Sequence, residues 1–518
     1  MFVYLVHVRG YTMSPGSGVS SGRRGTFAGL MEKIPYFKSL GVTTLELMPV
    51  YEINTVDRVN LQNRASKGNL PEGAGVSTEK TDDDSVMLSV NGSLRDGRNR
   101  GRINFWGFKE GYLFAPRSSY ASDKKDPSGE FKALVKALHE NGISIVLQFY
   151  FTDNNPDDLV ISSLRHWVYE YHIDGIHFKG SHKAAASAWA DPVISDLMLW
   201  SGDMSGNILY DASVPRSYAA LYDMDFMYCA RRFLRGDDNS IGDFVNAMLD
   251  RGTNSGKVKY ICDYEGMRLI DLVSFEHKRN ESNGESNSDG TDNNLSWNCG
   301  VEGRTRRQDI LSLRLRQMKN ALTMLVLTQG TPMLFGGDEF ANSQDGNNNP
   351  YCQDNITGWI DWKQASKPYG KELSEYLKFL VKFKYTHRIL HEKTGFRLMD
   401  YKACGYPDLS FHGTEAWRPD LSGSSHAVGL LFCGLYENRG DNDFFFIAFN
   451  MDWKETSMAL PKLPGQMRWY LISDTSENTV HPRGRLLTSQ GSITCQARSI
   501  VILAGRGKCS LGAKGKNK

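Results

Sequence analysis

The sequence predicts an α/β fold: a (β/α) barrel followed by a C-terminal antiparallel β-sandwich. Three observations carry that prediction. Short β-branched and aromatic runs alternate with helical apolar spacing over roughly the first 390 residues, which favours a barrel of parallel strands over an open sheet. The texture then changes to short β-rich runs separated by turn residues, with no long helix between them. The chain has 518 residues, 40% hydrophobic and 23% charged, the balance of an ordinary globular protein with a large core.

Residues 2–8 read as the first strand, followed by a Gly/Ser-rich loop over 11–25. Residues 27–40 have helical apolar spacing and stop at Gly41, a natural helix terminator. Residues 44–48 are β-rich and closed by Pro49, so the chain opens with a β-helix-β unit. Residues 57–102 are rich in Asn, Gly, Ser, Asp and Lys without periodicity, and read as a long low-complexity insertion. Beyond it, 131–140 is helical, 143–151 is a continuous apolar strand, 159–171 is helical and 175–178 is a short strand. Further strands are expected at 197–200 and 259–262, then a long helix at 310–327 and a strand at 332–335. The second region carries strand-like runs at 405–413, 428–436, 444–450, 468–472 and 499–503. The expected domains are therefore 1–390 for the barrel and 391–505 for the all-β part, with a disordered basic tail at 506–518.

Charge narrows the partners. Lys and Arg number 61 against 59 Asp and Glu, which offers no electrostatic argument for nucleic acid. No apolar run approaches the ~18 residues of a membrane span, so no membrane partner is expected. Eight cysteines contain no CxxC pair, so zinc and redox motifs are disfavoured and reduced thiols expected. Met1 is followed at once by strand-like residues, which reads as a shortened chain without a signal or transit peptide.

Seven motifs stand out: His7-Val-Arg-Gly-Tyr-Thr12, Gly41-Val-Thr-Thr-Leu-Glu-Leu-Met-Pro-Val50, Phe105-Trp-Gly-Phe108, Asn280-Glu-Ser-Asn-Gly-Glu285, Ser296-Trp-Asn-Cys-Gly-Val-Glu-Gly303, Gly336-Gly-Asp-Glu-Phe340 and Gly346-Asn-Asn-Asn-Pro-Tyr-Cys-Gln-Asp-Asn355. With them the chain resembles the isoamylase-type starch debranching enzymes of the α-amylase family over nearly its whole length. The resemblance implies a (β/α)8 TIM-type barrel with a C-terminal β-sandwich, no cofactor and no metal. The carbohydrate-binding-type sandwich that precedes the barrel in that family is absent from this sequence.

Hydrolysis of an α-glucan with retention needs a carboxylate nucleophile and a carboxylic acid about 5 Å apart, and the family adds a third carboxylate. The resemblance aligns other residues with those positions. At strand three the family's Asp, Asn and His become Gln148, Thr152 and Asp153. At strand four His177 replaces the family's Arg and Lys179 replaces the nucleophile. Gly202 stands for the general acid at strand five, while at strand seven Tyr264 replaces His and Glu265 replaces the third carboxylate. A cation at the nucleophile position opposes an oxocarbenium-like transition state, and glycine has no proton to give. Lys179 is expected to pair with Glu265, because a charge withdrawn from water needs a partner.

This pattern resembles the second, non-hydrolytic plant isoamylase isoform. It implies a catalytically deficient subunit that joins the catalytic isoamylase isoform in a hetero-oligomer to debranch α-1,6-linked glucan during amylopectin synthesis in the plastid. Two other readings stay open. One is an active α-1,6-glucosidase with rearranged acids, for instance Asp203 and Glu265; the other is a non-enzymatic α-glucan-binding protein. Trp106, Phe108, Asn349 and Tyr351 are the candidate substrate-binding residues, with turn packing or loop capping as the alternative role of each.

Overall fold

The computed structural model describes residues 1–57, 102–202, 219–252, 255–392, 394–437, 442–477 and 479–507. Nearly all of the expected insertion, Asp203 and residues 508–518 of the expected tail lie outside these.

Eight strands close a parallel barrel in sequence order: β1 (Val3–Val6), β2 (Thr44–Leu47), β3 (Ser144–Phe151), β4 (Gly175–Gly180), β5 (Met198–Ser201), β6 (Ala219–Asp223), β7 (Gly256–Lys259) and β8 (Thr331–Phe335), with β8 pairing back onto β1. Helices pack outside the barrel, and the chief ones among the described residues are α1 (Phe27–Met31), α2 (Ile34–Leu40), α3 (Pro127–Glu140), α4 (Asp157–Tyr171), α5 (His182–Ala190), α6 (Met224–Arg235), α7 (Ile241–Leu249), α8 (Gln308–Leu327) and α9 (Pro368–Thr386). Among the described residues no helix is long and apolar enough to cross a membrane.

The single helix expected over 27–40 is two. Pro35 has no N–H to continue the first helix and its fixed φ suits the opening turn of the second, so α2 starts afresh at Ile34. Gly41 then caps α2 with φ of 79°, as a left-handed terminator requires. The strand expected at 259–262 lies earlier, at Gly256–Lys259. Its ladder with β8 has only the pairs Val258–Thr331 and Lys259–Pro332, and a proline cannot donate a further bond.

The C-terminal region is antiparallel. Strands β9 (Leu409–His412), β10 (Ala427–Phe432), β11 (Phe444–Asn450), β12 (Thr456–Ala459), β13 (Arg468–Asp474), β14 (Val480–Leu486), β15 (Ser492–Cys495) and β16 (Ser499–Arg506) form a six-stranded sheet ordered β9-β10-β11-β16-β13-β14 and a ribbon of β12 with β15. Strand β16 runs through Arg506, paired with Arg468, so the first residue assigned to a tail belongs to the sheet. Every residue of β11 is buried. Phe445 packs on Phe383 of α9, and Phe449 packs on Phe244 of α7, so one face of the sheet rests against barrel helices. Asn320 of α8 fastens that contact: its Nδ2 donates to the Arg498 carbonyl at 2.8 Å and its Oδ1 accepts from Thr475 Oγ1 at 2.7 Å. Arg498 in turn donates to the Arg235 carbonyl at 2.7 Å.

Candidate active site

Strand alternation decides what faces the barrel interior. Val3, Leu5, Val146, Met198, Trp200, Ala220, Tyr222, Val258, Met333 and Phe335 form one apolar cluster, while their chain neighbours Tyr4, Val6, Ile145, Leu147, Leu199 and Leu334 belong to the layer between barrel and helices. On that parity Glu46, Gln148, His177, Lys179 and Gly202 all sit on inward positions, with Lys179 and Gly202 nearest the C-terminal rim.

Four polar side chains meet inside. Glu46 is fully buried on β2, and its Oε1 lies 2.6 Å from His177 Nδ1 and accepts from Gln148 Nε2 at 2.7 Å. Its Oε2 accepts from the Tyr222 hydroxyl. The His177 and Tyr222 rings stack at 4.1 Å with 24° between planes. Loss of solvent lowers the His177 pKa below its ordinary value, against the opposing pull of Glu46. The imidazole is therefore neutral at pH 7, donating through Nδ1 and leaving Nε2 buried without a partner among the described residues.

At the rim, Lys179 Nζ lies 3.5 Å from Glu265 Oε2 and 5.2 Å from the centre of the Tyr264 ring. Glu265 follows β7 in a turn whose Asp263 Oδ1 accepts the Glu265 N–H at 3.1 Å. Desolvation and then the neighbouring Glu265 push the Asp263 carboxyl up to about 6, with Lys179 and Arg231 opposing. Gly202 is exposed, and among the described residues a Cβ built there meets nothing within 4 Å. Asp153 does not join this group. It is exposed beyond the end of β3 and accepts from Ser181 Oγ at 2.6 Å, where Ser181 caps α5.

The aromatic candidates do converge. Tyr264 stacks on Phe108 at 5.1 Å and 27°, and meets Trp106 edge-on at 5.1 Å. Tyr351 continues the wall, 6.4 Å from Trp106, with its hydroxyl on Glu285. The Tyr264 hydroxyl is buried without a hydrogen bond among the described residues. Asn349 belongs to the adjoining polar loops instead: its Nδ2 donates to Asp289 at 2.9 Å and its carbonyl accepts from Asn283 Nδ2 at 2.9 Å.

Chemically, the rim offers one cation and two adjacent carboxyls from a single turn, set beside an aromatic wall. That arrangement can hold a polyhydroxylated ring. Asp263 and Glu265 stand together after the same strand, which is not the placement of a carboxyl pair flanking a glycosidic bond. Three residues of the site were not among the sequence candidates. Glu46 was signalled by a lone charge inside the apolar run 44–48, and Asp263 by its place in the altered strand-seven motif; Tyr222 lies on β6, a strand the pattern did not reveal.

No family model matches the chain. Isoamylase 3, chloroplastic, of Oryza sativa subsp. japonica is 27% identical over 581 aligned positions, covering 97% of this chain and 68% of that protein. Isoamylase 1, chloroplastic, of Arabidopsis thaliana is 26% identical, covering 92% of this chain and 66% of that protein. The chain thus spans about two thirds of the length of these relatives. Among solved structures, the catalytic module of the multi-modular glycogen-degrading pneumococcal virulence factor SpuA shares the fold, with a TM-score of 0.68 at 16% identity over 97% of this chain and 77% of that one.

Proposed function

We propose that this chain, which is of the isoamylase type, is a catalytically deficient subunit that associates with an active isoamylase to debranch α-1,6-linked glucan during starch synthesis. The observation that carries the reading is the Lys179–Glu265 pair, 3.5 Å apart at the barrel rim. By the resemblance, Lys179 stands where a retaining glycosidase of this kind needs a carboxylate, and its partner Glu265 is the one carboxyl aligned with a catalytic position. Gly202 adds to it, since nothing at that position can protonate a leaving oxygen. Of the aromatic wall, Trp106 and Tyr264 are buried, and half-buried Phe108 and Tyr351 are the rings that present surface to a glucan. The plastid is the matching compartment, because the two plant relatives are described as chloroplastic.

The test is release of reducing ends from amylopectin by the purified chain, alone and mixed with a catalytic isoamylase, with size-exclusion chromatography of both. The expected result is no release alone and co-elution with the partner. Release by the chain alone at the turnover of an active isoamylase refutes the reading.

One observation bears on the rearranged-acid alternative: burial and the neighbouring Glu265 raise the Asp263 carboxyl to about 6, nearer neutrality than an ordinary carboxyl. Under that alternative, Asp263→Asn, Glu265→Gln or Asp203→Asn abolishes whatever hydrolysis the chain performs.

A further inference from the structure

Helix α9 and the paired strands β13 and β14 enclose a groove of about 790 Å³, built on elements other than those bearing Lys179 and Glu265. That size falls within the ~300–1,000 Å³ of small-ligand sites. We propose that this groove is a second carbohydrate-binding site, taking a neutral oligosaccharide such as a linear α-glucan segment. The choice of glucan rests on the functional reading above.

Its aromatic side is Phe379 on α9, backed by the buried rings of Tyr376 and Phe383. Half-buried Phe379 lies 6.1 Å from Tyr376 and 5.7 Å from Phe383, nearly parallel to the latter at 30°. A pyranose presents C–H faces that pack on such rings while its hydroxyls point to a polar rim.

The charges around the groove are mostly paired with one another. Lys319 lies 2.6 Å from Glu372, Lys378 2.8 Å from Glu375 and Arg485 3.0 Å from Glu477. An ionic ligand therefore meets little net field, whereas a ligand that only exchanges hydrogen bonds has no ion pair to break.

Two groups keep capacity for such a ligand. Asp474 accepts from the Ser476 N–H at 2.8 Å and the Ser476 hydroxyl at 2.7 Å, both on Oδ1, which among the described residues leaves Oδ2 as an acceptor. Burial holds this carboxyl above its ordinary pKa, as an under-solvated acceptor should be. Across the groove, exposed Lys382 forms no ion pair among the described residues and supplies a donor. An acceptor and a donor above an aromatic floor suit the alternating hydroxyls of a sugar.

The experiment is amide hydrogen exchange and titration calorimetry of the full chain with maltoheptaose. Protection is expected in 371–386 and 479–486, and both Phe379→Ala and Thr386→Trp should weaken binding at that site at least tenfold. Thr386 is exposed on α9, so its variant blocks the groove without opening the core. Protection confined to the barrel rim, unchanged affinity in Thr386→Trp, or no binding of maltoheptaose at all would each overturn the proposal. Reducing-end release by the chain alone would end the silent-subunit reading without touching this site, so the two fail separately.

Discussion

His177 Nδ1 sits 2.6 Å from Glu46 Oε1 inside the barrel, joining β4 to β2 across 131 residues of chain. The same carboxyl accepts from Gln148 and Tyr222, so one side chain satisfies donors from three other strands.

Glu46→Ala should therefore destabilise the protein strongly, because it leaves three buried donors bare at about 1–3 kcal/mol each. Urea denaturation should place the loss at about 3 kcal/mol or more. A loss below about 1 kcal/mol would mean that the interior network is not a support of the barrel.

Tyr264→Phe should act the other way. Among the described residues the hydroxyl is buried without a partner while the ring keeps its stacking on Phe108, so removing the oxygen should stabilise by about 1 kcal/mol. The check is the midpoint of thermal unfolding, which should rise by about 1 degree.

The triple variant Lys179→Asp, Gly202→Glu, Glu265→Asp should fold. The Lys179–Glu265 pair is partly exposed and worth no more than about 1 kcal/mol, and among the described residues a Cβ at Gly202 meets nothing within 4 Å. Its release of reducing ends should still fall at least ~100-fold short of an active isoamylase, as for loss of one acid–base group. Neutral His177 and Tyr264 stand where the resemblance calls for Arg and His. Activity within tenfold of the active enzyme would show those supports to be dispensable.

His412 supplies a pH test. Burial lowers it from 6.5 to about 4, and its Nδ1 already accepts the Trp417 N–H at 2.9 Å. Between those values the unfolded chain binds a proton that the native state refuses, so this term of stability is full above pH 6.5 and declines as pH falls toward 4. His412→Gln should flatten the dependence by up to about 1.4 kcal/mol per pH unit, one proton's worth. Urea titrations at pH 7, 6 and 5 would read it, and parallel slopes in variant and parent would contradict the assignment.

Legibility in the sequence followed locality. Strands β1, β3 and β4 were readable because each is a compact apolar run bounded by turn residues. Strand β6 was not: Ala219–Asp223 is short, has no flanking glycine or proline, and passes at Asp223 straight into the cap of α6. The offset of β7 came from a pairing limit at Pro332 that no local pattern carries. Within the site, Lys179, Glu265 and Tyr264 could be found because each ends a recognisable strand motif. The meeting of His177 with Glu46 and Tyr222 follows instead from closure of the barrel, which brings Glu46 and Tyr222 together from 176 positions apart. Asp153 shows the converse, since a residue in the right motif turned outward to Ser181 two residues past the strand.

The amide of Asn320, held between the Arg498 carbonyl and Thr475, makes the change of texture near residue 390 a poor place to cut. A protein ended there would expose that amide to water and strip Phe244 and Phe383 of their cover. Such a fragment should be insoluble rather than a smaller working unit, and the intact chain should unfold in one calorimetric step. What looks like an appendage by composition is the missing wall of its neighbour.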